Sequence, residues 1–260
     1  MIDLPFVVAG AFTGLVVGLT GVGGGALMTP ILILFFGIAP ATAVATDLWF
    51  APLTKIAAVA IHYRTGNVDW QVVRRLWAGS IPVAIAVVVV MALGFRVERI
   101  DWLTKAIGVV VAVTAVGLLA APALQRLTRE RRIAEPARFK KRQGGLTVVA
   151  GGTLGLLVAL TSVGAGALGT VMLLAIYPLR MTPHRLVATD IAHAIPLAMV
   201  AGTGYLFAGM VNGAMLGSLL VGSIPAVIAG SLLAQRFSAG WLRVALAVVL
   251  IATAVKTLSV

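Results

Sequence analysis

Two glycine-rich segments, Thr20-Gly21-Val22-Gly23-Gly24-Gly25 and Thr161-Ser162-Val163-Gly164-Ala165-Gly166, each lie inside a long stretch without charge. Glycine lets backbone N–H groups approach a ligand closely, and a helix that starts just beyond such a turn directs its positive end at that ligand. Gly21, Gly23, Gly24, Gly25, Gly164 and Gly166 would supply that freedom for an anion, with Thr20, Thr161 and Ser162 adding hydroxyl donors. No Gly-Lys-Ser/Thr follows either segment, so neither is a nucleotide loop. Small residues also serve close helix packing, and one segment alone would not decide between the two uses. Two in matching positions, each led by threonine, favour a substrate site.

Asp47, Lys55, Asp190 and His193 interrupt otherwise apolar stretches. Ionisable groups at membrane depth are costly and face a cavity or a partner. Asp47, Asp190 and His193 are candidates to carry a coupling proton, because a low-dielectric setting narrows the gap between charged and neutral forms. Lys55 and the hydroxyls of Thr46 and Thr189 could hold an anion. A structural alternative for the aspartates is to accept N–H bonds that lock a broken helix. Lys55 has no counterpart in the second half of the chain, where Ala198 stands. His193 lies three residues beyond Asp190 and so shares its helical face. No metal or cofactor is expected, since His184 and His193 have neither a thiolate nor a second carboxylate nearby. Ser162 and His193 form no recognisable nucleophile–base motif, which argues against an enzyme. Trp49, close to Asp47, either lines the pathway or faces lipid.

These groups stand out because the rest of the chain is so apolar. Of 260 residues, 60% are hydrophobic and 11% charged, against roughly 25% charged in a soluble domain. With a mean hydropathy of +1.08, most of the exterior must face lipid. There is no cysteine, which excludes disulfide frameworks, thiolate metal sites and haem attachment. The opening MIDLPF carries no Lys or Arg, so a signal peptide is not expected. The stretch Leu124–Gln143 holds eight of the twenty bases against two acids, half of the net charge of +12. Between membrane segments this reads as a cytoplasmic connector touching anionic lipid headgroups. Nucleic acid is not an expected partner, because Phe139 is the connector's single aromatic residue.

The second half repeats the first. GLVVGLTGVGGGAL (14–27) matches GLLVALTSVGAGAL (155–168) at an offset of 141. At an offset of 143, PATAVATD (40–47) matches PHRLVATD (183–190), and GSIPVAIA (79–86) matches GSIPAVIA (222–229). The expected fold is therefore an all-α polytopic membrane protein: a first repeat at 1–123, a basic cytoplasmic linker at 124–144 and a second repeat at 145–260. Each repeat has four hydrophobic blocks. The first, long and Gly-interrupted (5–37 and 146–178), is either one long helix or a hairpin with the glycines at its tip. The others run at about 41–62, 77–94 and 103–123, and at about 187–207, 214–235 and 241–258. A hairpin makes the repeats inverted and a single pass makes them parallel. The bases of the second half (Arg180, His184, Arg185, Arg236, Arg243) have moved to the loops that inversion puts inside, which favours inverted repeats.

With GLTGVGGGALMTPILILFFGIAPATAVATDL in one half, TSVGAGALGTVMLLAIYPLRMTPHRLVATDIAHAIP in the other and a Gly-Asn-Val-Asp-Trp turn at 66–70, the chain resembles the sulfite exporter TauE/SafE family, also called the toluene-sulfonate uptake permeases. The resemblance covers nearly the whole chain apart from the basic connector. It implies a multi-pass carrier of the bacterial inner membrane for a small sulfur-containing or organic anion, such as sulfite or a sulfonate. Alternating access is the expected mechanism, with the proton as the candidate coupling ion. A passive anion channel and a non-transporting assembly or scaffold protein are the alternatives, and the oligomeric state is left open.

Overall fold

The computed structural model of the chain describes residues 2–20, 25–62, 68–93, 100–134, 136–164, 166–233 and 239–259. Among these residues there are ten helices and no strand: α1 (Leu4–Thr20), α2 (Gly25–Phe36), α3 (Pro40–His62), α4 (Trp70–Ala92), α5 (Ile100–Ala134), α6 (Pro136–Thr161), α7 (Ala167–Ile176), α8 (Pro183–Phe207), α9 (Gly213–Leu233) and α10 (Ala239–Leu258). Spanning the hydrocarbon takes about 20 apolar residues. Five helices carry stretches that long and apolar: Trp70–Met91, Thr104–Glu130, Arg142–Thr161, Arg185–Phe207 and Gly213–Leu233. Large exposed apolar side chains, among them Val113 and Val116 on α5 and Val248 and Val255 on α10, suit contact with lipid. The protein is thus an all-α polytopic membrane protein.

Local chemistry sets the helix boundaries. The Asp69 carboxylate accepts the Val72 N–H and starts α4 at Trp70, a full turn or more before the charge-free window that marked it in the sequence. Thr182 caps α8 with Pro183 in the first turn, and the Asn212 side chain accepts the Met215 N–H at the start of α9. The basic connector, expected as a loop, is helical on both sides of residue 135: 124–134 continue α5 and 136–143 begin α6. Its Leu, Ala, Arg, Glu and Lys are strong helix formers, and charge alone said only that it lies outside lipid.

The second long block is a hairpin. α7 folds back along α6, so that the Gln143 amide donates to the Ile176 carbonyl (2.8 Å) and the Thr147 and Tyr177 hydroxyls meet at 2.8 Å. In the first block, α1 and α2 flank residues 21–24, which lie outside the described residues.

Glycine contacts fix the helix directions. Gly10 and Gly14 of α1 sit on the backbone of Leu219 and Ser223 of α9, in parallel. Gly151 and Gly155 of α6 sit in the same way on Leu76 and Ser80 of α4. At all four positions a Cβ would overlap partner backbone, so a side chain would force the helices apart. α3 and α8 run antiparallel: Trp49 Nε1 donates to the Gly202 carbonyl at one end (3.1 Å), and Lys55 meets Asp190 further along. α5 and α10 also pack together, with Gly108 near the start of one against Thr257 and Leu258 at the end of the other.

Candidate functional site

Among the described residues five charged or histidine side chains are buried: Asp47, Lys55, Asp69, Asp190 and His193. α3 supplies Asp47 and Lys55, α8 supplies Asp190 and His193, and the antiparallel crossing brings the two sets together. Lys55 Nζ lies 3.4 Å from Asp190 Oδ2, with the two side chains 4% and 3% exposed. The Lys55 charge also acts on Asp47 and on His193. It is the cationic centre of a group whose other members are carboxyls and an imidazole.

The broken helices close over this group. On the first-repeat side, Thr29 of α2 donates its hydroxyl to Asp47 Oδ2 (2.6 Å). From the other half, the Ser162 hydroxyl at the α6–α7 tip also bears on the Asp47 carboxylate. Ser162 holds φ at +57°, a conformation uncommon outside glycine, and Gly164 and Gly166 follow at +123° and +136°. No side chain caps α7 after Gly166; the Gly169 N–H of its first turn donates instead to the Gly164 carbonyl of the tip (3.1 Å). Gly169 makes room for Asp190, whose Oδ1 would collide with a Cβ there. Asp47 Oδ1, Asp190 Oδ1 and Thr46 Oγ1 are buried without a hydrogen-bond partner. Such atoms are costly in a purely structural interior and mark groups that a ligand or proton can engage.

A second polar cluster adjoins the first. The Asp69 backbone N–H donates to Thr189 Oγ1 (3.1 Å), one residue from Asp190. The Asp69 carboxylate is gripped by Arg180, with Nη2 on Oδ1 at 2.8 Å and Nε on Oδ2 at 2.5 Å, and by Arg185 Nη2 at 3.1 Å. An apolar groove of about 300 Å³ between α4 and α6, lined by residues such as Val83, Val87, Leu156 and Leu160, lies apart from both clusters.

A family model of sulfite exporter TauE/SafE proteins matches residues 6–257. Probable membrane transporter protein YjnA of Bacillus subtilis (strain 168) is 36% identical over 256 residues, 98% of this chain and 99% of its own. The chain belongs to the sulfite exporter TauE/SafE family. Probable membrane transporter protein YunE of the same organism is 36% identical over 67 residues, 26% of this chain and 24% of that one. No solved structure matches. Membership places the chain in a family of membrane transporters.

Within that family setting, Asp47, Lys55, Asp190, His193 and Ser162 come together; Thr46 is buried next to Asp47 in the chain and Thr189 accepts the Asp69 N–H of the second cluster, while other sequence candidates behave differently. The hydroxyls of Thr20 and Thr161 donate back to Val16 and Leu157 in their own helices (2.8 and 2.7 Å), as helical hydroxyls commonly do. His193 pairs with Ser80 (3.0 Å), and its carbonyl accepts from Trp77 Nε1. Trp49 donates its Nε1 to the Gly202 carbonyl and packs into the space left by Gly202. Gly25 opens α2, and Gly21, Gly23, Gly24 and Ala165 lie outside the described residues, as do the side chains of His62 and His184.

Proposed function

We propose that this protein is a secondary transporter that moves a small sulfur-containing or organic anion, such as sulfite or a sulfonate, across the bacterial inner membrane by alternating access with proton coupling. The observation that carries the reading is the buried Lys55–Asp190 pair, set between two antiparallel helices and beside the glycine-rich tip. An anion can replace Asp190 as the counter-ion of Lys55. The displaced carboxyl, still sealed from water, is neutral only with a proton, so anion and proton enter together. Asp47, with Thr29 and Ser162 on it, is the second proton candidate.

In this reading residues 1–123 and 145–260 are inverted repeats of five helices each, α1–α5 and α6–α10. Two features support it. The glycine contacts of α1 on α9 recur, at equivalent residues, in those of α6 on α4. The equivalent pairs α3/α8 and α5/α10 each run antiparallel, as a two-fold axis in the membrane plane requires. The 124–144 connector then lies in the cytoplasm, against anionic headgroups.

Proteoliposome uptake of labelled sulfite or sulfonate, with and without a proton gradient, tests the proposal. Flux that does not depend on the protein sinks transport, and flux indifferent to the gradient sinks the coupling. Counterflow of labelled against unlabelled anion distinguishes a carrier from a channel.

A further inference from the structure

Asp69 was needed by neither the glycine tips nor the central pair, yet it is the most heavily partnered carboxylate in the described structure. Its side chain is 2% exposed, whereas those of Arg180 and Arg185 above it are 34% and 38% exposed. The acid is sealed beneath two guanidinium groups that reach the surface. Arg180 is steadied further by Gln71 Oε1 (3.1 Å) and by the Tyr177 ring 5.9 Å away. The cluster joins separate elements: Asp69 and Gln71 belong to the start of α4, Arg180 to the α7–α8 connection and Arg185 to the first turn of α8. Beneath it, the Asp69 N–H holds Thr189, adjacent to Asp190.

The cluster is also one-sided. At the offset of 143 that relates the two halves, Asp69 corresponds to Asn212, Gln71 to Ala214, Arg180 to Gly37 and Arg185 to Thr42, while Thr189 corresponds to Thr46. Capping is retained at both places, since Asp69 and Asn212 each accept an N–H at the start of their helix. The charge is not. A cap needs no carboxylate and no arginine pair, so the charges on one side serve something the cap does not.

We propose that Asp69, Arg180 and Arg185 form an ionic gate that closes one mouth of the transport route, the mouth on the face of Gln143, over Thr189 and Asp190, with no charged equivalent at the opposite mouth. Opening separates the start of α4 from α8, releases Thr189, and turns the two guanidinium groups toward the water as the first cations an anion meets from that face. The gate rests on the transport reading only in supposing a route to close.

The absence of cysteine makes the test direct, because Thr189→Cys and Thr46→Cys each introduce a single thiol. Reaction with a membrane-impermeant methanethiosulfonate, added from the Gln143 face of oriented proteoliposomes, is timed with and without Asp69→Asn. Asparagine keeps the cap, as Asn212 does natively, and removes the charge. The expected result is that Asp69→Asn speeds labelling at position 189 about tenfold, the shift of a gate equilibrium by one lost ion cluster, and leaves position 46 unchanged. The double variant Arg180→Gln/Arg185→Gln should do the same and keeps the test open if Asp69→Asn folds poorly. Unchanged labelling at 189 in both backgrounds overturns the gate, and so does an equal rise at 46, which would report general loosening. Thiol reactivity is read without substrate, so failure of the gate is distinct from failure to find transport.

Discussion

Replacing Lys55 by methionine, Asp190 by asparagine, and both together measures the central pair without knowledge of the substrate. Two unit charges 3.4 Å apart attract by about 5 kcal/mol at an effective dielectric near 20. That attraction offsets the several kcal/mol lost by each ion on leaving water, so the intact pair contributes little net stability, whereas removing one partner costs about 3–5 kcal/mol. Each single variant should therefore be destabilised by about that amount, and the double variant by less than the sum, with a coupling of about 2–3 kcal/mol. Equilibrium unfolding in mixed micelles, followed by tryptophan fluorescence, reads all three. Additivity to within about 0.5 kcal/mol would refute the pairing. Flux adds a second criterion. Lys55→Met/Asp190→Asn should be folded and inactive, because the anion's counter-charge is gone. Wild-type flux in Lys55→Met would remove Lys55 from the anion site whatever the stability shows.

Thr29→Val removes the hydroxyl on Asp47 Oδ2 and should cost about 1.5–3 kcal/mol, the range for a bond to a charged group; no change in the unfolding midpoint would contradict it. Gly155→Ala places a methyl on Ser80 backbone, whereas Gly217 of α9 has open space around it. The first should destabilise by about 1–3 kcal/mol, and Gly217→Ala should be neutral or stabilise by up to about 1 kcal/mol; parallel denaturation curves in detergent compare them. Gly166→Leu forces a side chain to φ +136° at a cost of about 1–3 kcal/mol and should abolish flux while expression persists. Preserved flux would make the second tip a packing device only.

Composition located four of the five buried groups, because Asp47, Lys55, Asp190 and His193 each break a long apolar run. It missed Asp69, which sits in a turn between helices and looks like an ordinary surface residue there. The signal was available in the repeat: Gly-Asn-Val-Asp-Trp at 66–70 aligns with Gly-Met-Val-Asn-Gly at 209–213, and one charged and one neutral cap at equivalent places is an asymmetry to explain. Thr20 and Thr161 show the converse. Their place beside the glycines suggested ligand donors, but a hydroxyl at the last turn of a helix has a carbonyl four residues back within reach. Whether the second long block crossed once or turned back depended on Gln143 reaching Ile176, a contact across 33 residues that apolar periodicity does not encode.

The distribution of contact types indicates where motion is cheap. α1 on α9 and α4 on α6 are joined backbone to backbone at glycines, contacts that lose their attraction within an ångström of separation and so move as rigid pairs. α8 is held by directional polar contacts instead: to α3 through Trp49 with Gly202 and Lys55 with Asp190, and to the start of α4 through Asp69 with Thr189. A polar contact can be exchanged for another partner, water or substrate, at little net cost, which a glycine seam cannot do. In the proposed transport cycle, alternating access would therefore be carried by α3 and α8 shifting against two clamped pairs. On that view cross-linking α1 to α9 should spare flux, whereas cross-linking α4 to α8 near Ser80 and His193 should stop it. Arrest by the first link and not the second would assign the moving seam to the glycines instead.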